Sequence, residues 1–143
     1  MLLSRISLLC LLISTMLTGK ISAQNTIPAG KNTFVMTFKD SLLCREWKFA
    51  SSERFGVKHE PEEKEKNNKL IFTADMRVRI FIDGINKSGS WSTDKYKTYI
   101  TIVLDGSKEK IMYKIISLNE RDFQYEYQEP SLIRTIYNYT AVN

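Results

Sequence analysis

The sequence is short of the residues from which most catalytic and metal sites are built. Its 143 residues include one His, two Cys, six Gly and three Pro. One His leaves little material for a His-rich metal site or for a catalytic relay through an imidazole. With so few glycines, no segment resembles a glycine-rich phosphate-binding loop. We therefore predict that the protein is not an enzyme and that it holds neither a cofactor nor a metal ion.

Long runs of one charge are also missing. Lysine and arginine total 21 against 16 aspartates and glutamates, and the two signs are interleaved along the chain. Nucleic-acid binding depends on a concentrated basic surface, so we expect no nucleic-acid partner. Hydrophobic residues make up 43% and charged residues 26% of the chain, which is ordinary for a folded domain.

The one long apolar run lies at the N-terminus, where residues 6–19 follow the positive charge of Arg5. This run is shorter than the roughly 20 residues of a membrane span and is typical of a secretory signal peptide. Ala23 is the predicted last residue before cleavage, although Ile21 departs from the usual small-x-small pattern. No Cys lies near Ala23, so we expect no lipid anchor. The prediction is an exported protein, periplasmic or extracellular, with no stable membrane insertion after cleavage.

Cleavage would change the composition. It would leave 120 of the 143 residues, with 19 of the 21 basic and all 16 acidic residues, and hence a net charge near +3. Cys10 would leave with the leader, so Cys44 could not form an intramolecular disulfide. Its neighbours Leu42 and Leu43 favour burial, and the alternative is an intermolecular pairing. The predicted organisation is a signal peptide at 1–23, an N-terminal extension at 24–40 and one domain at 41–143.

The rest of the chain has the pattern of short strands joined by turns. One turn of helix is predicted over residues 42–45, capped by Asp40 or Ser41. Residues 60–68 carry four Glu and are predicted to form a solvated loop, with His59 beside it on the surface. Strands are predicted at 47–52, 54–59, 69–74, 77–82, 96–104, 110–116, 123–128 and 132–139, with a further short one starting at residue 90.

The connections are too short for helical crossovers, which excludes parallel βαβ units. Asp83-Gly84 and Asp105-Gly106 are strong hairpin signals. About eight antiparallel strands can close on themselves and so remove both sheet edges. We predict an all-β, eight-stranded antiparallel up-and-down barrel, with a two-sheet β-sandwich as the alternative.

Several sequence elements between residues 41 and 142 together resemble those of a known group of domains. They are a Leu-rich turn before Trp47, the strand at 70–72, Asp83-Gly84, Gly89-Ser90-Trp91, a Tyr- and Ile-rich strand from Tyr99, and residues 113–118. Together they resemble the small lipocalin-like domains of exported proteins from Bacteroidetes-type bacteria.

The resemblance implies a lipocalin-like barrel in which an Arg–Trp contact closes one end. Lipocalins pack an Arg from late in the chain on the early Trp, and Arg134 would take that place on Trp47. Such a pair is a cation–π contact and is not catalytic. The element that contains Trp91 would be structural as well. The chain departs from the pattern at Arg45, where lipocalins carry Gly.

Aromatic residues provide the candidate site. Phe123, Tyr125 and Tyr127 alternate with polar residues and share one face of a strand. Tyrosine joins an apolar ring to a polar tip, which suits a partly wet cavity. We predict an exported, non-enzymatic binding module whose small apolar or amphipathic ligand contacts these three residues and Ile80.

A second aromatic face leaves the site open. Ile133, Thr135, Tyr137 and Tyr139 share a face in the last strand, so either aromatic set could simply fill the barrel. In that case the protein would be a protein-interaction or inhibitor module that uses loops such as residues 60–68. The partner would then be another protein instead of a small hydrophobic ligand.

Overall fold

A computed structural model describes residues 36–142, which form one short helix followed by nine strands. The elements are α1 (Phe38–Leu43), β1 (Glu46–Arg54), β2 (Val57–His59), β3 (Lys69–Phe72), β4 (Arg77–Ile82), β5 (Ile85–Thr93), β6 (Tyr99–Leu104), β7 (Lys110–Leu118), β8 (Asp122–Gln128) and β9 (Arg134–Ala141). The predicted signal peptide and most of the predicted extension lie outside the described residues.

The sheet closes because β1 and β9, the first and last strands of the barrel, are paired. Their antiparallel ladder runs from Trp47 opposite Ala141 to Arg54 opposite Thr135. β3 to β9 each pair with their neighbour in sequence, and β1 also pairs with β3 at its start and with β2 at its end. Eight strands therefore close the barrel, and β2 is a short hairpin arm on β1. This confirms the predicted all-β, eight-stranded antiparallel barrel.

Two hairpins turn through a pair of residues with left-handed backbone. Asp83 and Gly84 have φ of 50° and 79°, as the Asp-Gly signal between β4 and β5 predicts. Phe55 and Gly56, with φ of 53° and 75°, form the same kind of turn between β1 and β2. The sequence predicted one strand over 54–59, and this was wrong. Phe is an unusual residue at such a position, so the turn signal was missed.

The helix begins earlier than predicted. Thr37, not Asp40 or Ser41, is the N-cap, and Asp40 is the third helical residue. The Thr37 N–H donates to the Asp40 carboxylate at 2.9 Å and the Asp40 N–H donates to the Thr37 hydroxyl oxygen at 3.4 Å, which forms a capping box. The predicted helix over 42–45 was therefore wrong, because Thr37 together with Asp40 is the stronger start signal.

The turns define two different ends of the barrel. We call the end beside α1 the closed end, where the β3–β4, β5–β6 and β7–β8 turns lie. The other end, with the β1–β2, β4–β5, β6–β7 and β8–β9 turns, we call the open end. Large apolar side chains fill the closed half, and those that are almost wholly buried are Leu43, Trp47, Leu70, Phe72, Val78, Ile100, Ile102 and Phe123. Each contributes about 1.5–3 kcal/mol by its burial.

Candidate functional site

The closed end is sealed by α1 and by polar contacts beneath the core. The Trp47 indole N–H donates to the Leu43 carbonyl at 3.0 Å. Asp40 is wholly buried and accepts from the Thr93 hydroxyl at 2.7 Å, and its other oxygen lies 2.9 Å from the Lys97 ammonium. Burial disfavours the charged carboxylate, but hydrogen bonds from Thr37, Lys97 and Thr93 outweigh it and lower the pKa of Asp40 to about 2. A ligand cannot enter through this end without breaking these contacts.

Arg45 covers Trp47, contrary to the expectation for Arg134. The guanidinium carbon of Arg45 lies 5.5 Å from the centre of the Trp47 ring, and its Nη1 donates to the Glu120 carbonyl at 2.6 Å. Arg134 is exposed at the open-end start of β9, whereas Trp47 pairs with Ala141 at the other end of that strand. The expected Arg134–Trp47 contact is therefore absent. The residue that departs from the lipocalin pattern supplies the cation instead.

Trp91 lies in the packed closed half. Its indole N–H donates to the Thr73 carbonyl at 3.1 Å, and its ring meets Phe72 edge-on with 5.6 Å between centres. Gly89, two residues earlier on the same inward face of β5, allows β6 to approach closely. A Cβ there would lie 2.5 Å from the Val103 carbonyl oxygen. Both residues pack as parts of the barrel wall.

A cluster of five tyrosines lies above the packed core, toward the open end. Tyr125 is at its centre, stacked on Tyr113 with ring centres 4.2 Å apart and on Tyr137 at 5.3 Å. Tyr139 is also stacked on Tyr125, and Tyr127 meets Tyr113 edge-on. β7, β8 and β9 place these rings side by side because their inward positions are in register. We call this group the tyrosine cluster.

The cluster borders a cavity of about 220 Å³ that we call the tyrosine cavity. Three polar residues line it at the open end, and its full lining is Phe49, Glu65, Asn68, Ile82, Asp83, Tyr113, Tyr125, Tyr127, Tyr137 and Tyr139. Asn68 joins the loop at 60–68 to the β4–β5 turn, because its side-chain oxygen accepts from the Asp83 N–H at 2.8 Å. Its own carbonyl accepts from the Phe49 N–H at 2.9 Å. The loop thus forms part of the cavity wall.

Two further spaces adjoin the tyrosine cavity. An apolar one of about 180 Å³, the isoleucine cavity, shares Ile82, Asp83 and Tyr113 with it, and is also lined by Ile80, Ile85, Lys87, Leu104 and Ile111. A polar groove of about 530 Å³ shares Glu65 and Tyr137, and is also lined by Ser52, Arg54, Lys58, His59, Glu60, Glu62 and Thr135. The open half of the barrel is therefore mostly apolar on the side of the isoleucine cavity and mostly charged on the side of the polar groove.

The buried hydroxyls of the cluster stay protonated far above neutral pH. Burial raises the pKa of Tyr125 well above its ordinary value, and the nearby Tyr139 and Tyr113 add to the rise. Burial also raises the pKa of Tyr113 and of Tyr139. A neutral phenol offers a ring face, a hydrogen-bond donor and an acceptor. The cavity wall thus carries polar tips without carrying the charge of a phenolate.

The predicted ligand-contacting residues do not all lie in one place. Tyr125 and Tyr127 line the tyrosine cavity, and Ile80 lines the isoleucine cavity. Phe123 is fully buried in the closed half, with its ring 5.4 Å from that of Trp47. The structure therefore separates Phe123 from the cavities, although it shares a strand face with Tyr125.

Sequence reasoning missed much of the lining. Tyr137 and Tyr139 stood out as a face of the last strand, but only the β8–β9 pairing opposes Tyr137 to Tyr125. Tyr113 and Phe49 stand on strands whose inward face was not singled out. Asn68 closes a charged loop, and Asp83 had been explained by its turn alone. No local pattern predicts this set, because its residues lie far apart along the chain. Only the closure of the barrel brings them together.

The structure also places the residues considered for metal binding and for nucleophilic chemistry. Residues 36–142 contain no group of three or more His, Cys, Asp and Glu placed to hold a metal ion. His59 is exposed on β2. Cys44 is half-buried against the core, and burial followed by the charge of Asp40 raises the pKa of its thiol. No helix within these residues is both long and apolar enough to cross a membrane.

The closed antiparallel barrel with one sealed end and one open end is a lipocalin-like fold. In agreement, a lipocalin-like protein from Bacteroides uniformis, known from a crystal structure, superposes with a TM-score of 0.53. The match is 14% identical in sequence and covers 71% of this chain and 99% of the other. No family model matches the sequence, and no curated protein does. The likeness to the solved structure is one of fold.

Proposed function

We propose that the protein is an exported lipocalin-like binding protein for a small apolar or amphipathic ligand, acting without catalysis. One observation carries the proposal: the barrel is packed solid near α1 but holds the tyrosine cavity in its open half. A barrel that only displayed loops would gain stability by filling that space with larger side chains. Aromatic walls with a few polar groups are typical of ligand pockets.

The size of the spaces limits the ligand. Neither the tyrosine cavity, at about 220 Å³, nor the isoleucine cavity, at about 180 Å³, is large alone. Ligand pockets commonly hold about 300 Å³ or more. A ligand of that size would therefore occupy both spaces across Ile82, Asp83 and Tyr113. Its apolar part would lie against the isoleucines and a polar or aromatic part against the tyrosines.

Export is the part of the proposal that rests on sequence. The apolar run at 6–19, the preceding Arg5 and the small residue Ala23 support a cleaved signal peptide. Expression of the full chain in a Gram-negative bacterium, followed by fractionation and N-terminal sequencing, tests this. A mature N-terminus near Gln24 outside the cytoplasm is expected. An uncleaved cytoplasmic chain would contradict export and leave the binding proposal untouched.

Binding can be tested with the dye N-phenyl-1-naphthylamine, whose fluorescence rises in apolar surroundings. We expect a saturable rise that a medium-chain fatty acid or alcohol reverses. Ile82 is 38% exposed and borders both cavities, so Ile82→Trp should fill them at little cost to the fold and abolish the rise. Ile116→Trp is the matched control, because Ile116 is 44% exposed and lines neither cavity.

The result separates the two candidate functions. Dye binding that Ile82→Trp removes and Ile116→Trp keeps would support a ligand pocket. No saturable binding would overturn the proposal and favour a protein-interaction module instead. The surface for that alternative is the open rim, where Phe55 and Leu132 are 80% and 75% exposed.

A further inference from the structure

The charged groups that line the tyrosine cavity have one sign. Glu65 and Asp83 are its only ionisable residues besides the tyrosines, and no Lys, Arg or His is among the lining residues. Basic residues line the two neighbouring spaces: Lys87 lines the isoleucine cavity, and Arg54 and Lys58 line the polar groove. Arg54 forms an ion pair with Glu129, and Lys58 forms one with Glu60 at 2.7 Å. The cavity itself is thus an acidic pocket in a chain whose net charge is positive.

Both carboxylates keep an oxygen available. Asp83 Oδ1 accepts from the Asn68 side chain at 3.4 Å, and Glu65 Oε2 accepts from the Glu62 N–H at 2.9 Å. Among residues 36–142 neither carboxylate forms an ion pair, and the second oxygen of each makes no hydrogen bond. Burial is the largest cause of the raised pKa of Tyr137 and of Tyr139, and the negative charge of Glu65 adds to both.

Six aromatic rings line the same space, namely Phe49 and the five members of the tyrosine cluster. An aromatic ring presents a negative face, and a cation over that face is attracted most strongly where water is excluded. Ring faces do not coordinate metal ions as carboxylates or imidazoles do. Rings together with unpaired carboxylates instead match an organic ammonium group, which has an apolar surface and a positive charge.

We infer that the ligand of this barrel carries an organic cation, a substituted ammonium group that lies among the tyrosine rings and near Asp83 and Glu65. The inference rests on the proposed binding function and names its ligand class. The apolar remainder of the ligand lies in the adjacent isoleucine cavity, which shares the lining residues Ile82, Asp83 and Tyr113 with the tyrosine cavity.

Three probes of similar size test the sign of the charge. Benzyltrimethylammonium is the cation, neopentylbenzene is its neutral isostere, and phenylacetate is an anion. Each probe is titrated into the protein without residues 1–23, and its binding is measured by the displacement of N-phenyl-1-naphthylamine. We expect the cation to bind about tenfold tighter than the neutral probe, as a desolvated cation–π contact would give. Phenylacetate should bind most weakly.

Variants locate the effect. Asp83→Asn removes one charge and fits the turn, since Asn tolerates the φ of 50°. Glu65→Gln removes the other and keeps an acceptor for the Glu62 N–H. Each should weaken binding of benzyltrimethylammonium about threefold to tenfold and leave that of neopentylbenzene unchanged. Asp122→Asn removes the same charge from an exposed site at the closed end and should change neither.

The outcomes are distinguishable from failure of the proposed function. Equal affinity for all three probes, or preference for phenylacetate, would overturn the cation inference while the pocket stands. An equal loss in Asp122→Asn would also overturn it, because the preference would then come from overall charge. If neither the dye nor any probe binds, the binding function itself is wrong.

Discussion

The Arg45 guanidinium lies 5.5 Å from the centre of the Trp47 ring and donates to the Glu120 carbonyl. Trp47 is fully buried, so the Arg45 side chain on its ring covers the core at the closed end. Its hydrogen bond ties the residue before β1 to the β7–β8 turn. Arg45 and Trp47 lie two residues apart, so the cation–π contact at the closed end is local. The long-range contact expected from Arg134 plays no part.

Replacement of Arg45 should therefore destabilise the protein. Arg45→Met keeps most of the aliphatic bulk but loses the cation and the hydrogen bond, and should lower the free energy of unfolding by about 1–2 kcal/mol. Arg134→Met, a matched change on the exposed face of β9, should shift it by less than about 0.5 kcal/mol. Urea unfolding followed by Trp fluorescence measures both. A larger loss in Arg134→Met would contradict the assignment.

The two arginines show where sequence reasoning succeeds and where it stops. Alternating apolar residues, short connections and Asp-Gly turns are local signals, and they were sufficient for the eight-stranded antiparallel barrel. Which arginine reaches Trp47 depends on the register of β9 against β1, which places Arg134 at the wrong end. A shift of β9 by two residues keeps every side chain on the same face of the sheet, so the alternation pattern alone could not decide which arginine reaches Trp47.

The candidate site was predictable to a similar extent. Tyr125 and Tyr127 were found from the alternation of one strand, and they do line the tyrosine cavity. The same alternation included Phe123, which lies one step deeper in the packed half. How deep a residue lies along the barrel axis depends on which end α1 seals. Alternation shows which face of a strand a residue occupies, but not this depth. Asp83 and Asn68 enter the site only through the contact between two loops.

Asp40 should make the stability depend on acid pH. The pKa of Asp40 is about 2 in the folded state against 3.8 for the ordinary side chain. Because this pKa is lowered, the contribution of Asp40 to the free energy of unfolding is complete above about pH 4 and is lost as the pH falls toward 2. That contribution is about 2 kcal/mol. Urea unfolding at pH 6, 4, 3 and 2 should show the decline.

The substitution Asp40→Asn isolates this group. It leaves the Lys97 ammonium beside a neutral amide and should cost about 3–5 kcal/mol at pH 6, because one partner of a buried pair is lost. Its stability should then vary less between pH 4 and 2 than that of the unmodified protein. Asp122→Asn, at an exposed site, is the control. An unchanged acid profile in Asp40→Asn would assign the pH dependence to other carboxylates.

Gly89 should tolerate no side chain. A Cβ would lie 2.5 Å from the Val103 carbonyl oxygen and 3.1 Å from the Leu104 Cα, both in the backbone of the paired strand. Gly89→Ala must therefore push β5 and β6 apart, at a cost of about 1–3 kcal/mol. Ser90→Ala, at the exposed neighbouring position, should have little effect. Thermal unfolding by circular dichroism compares the two, and equal melting temperatures would show that the strands can separate freely.

The tyrosine cluster should limit stability at alkaline pH. Tyr125 is buried at the centre of the cluster, and its pKa is raised by burial and then by the nearby Tyr139 and Tyr113. A raised pKa means that the folded state keeps the phenol neutral. The contribution of Tyr125 to the free energy of unfolding is complete below the ordinary pKa of 10, at which the unfolded chain begins to ionise. It is lost as the pH rises further.

Unfolding followed between pH 8 and 12 should therefore show falling stability, and absorbance at 295 nm should show part of the tyrosine ionising only as the protein unfolds. Tyr125→Phe keeps the stacked ring but removes the ionisable group, so its stability should fall less steeply above pH 10. Tyr96→Phe, at a residue that is 76% exposed, should keep the steep decline. If all of the tyrosine absorbance changed before unfolding, the cluster would be open to solvent. The conclusion that it forms an enclosed and neutral wall of the ligand site would then be wrong.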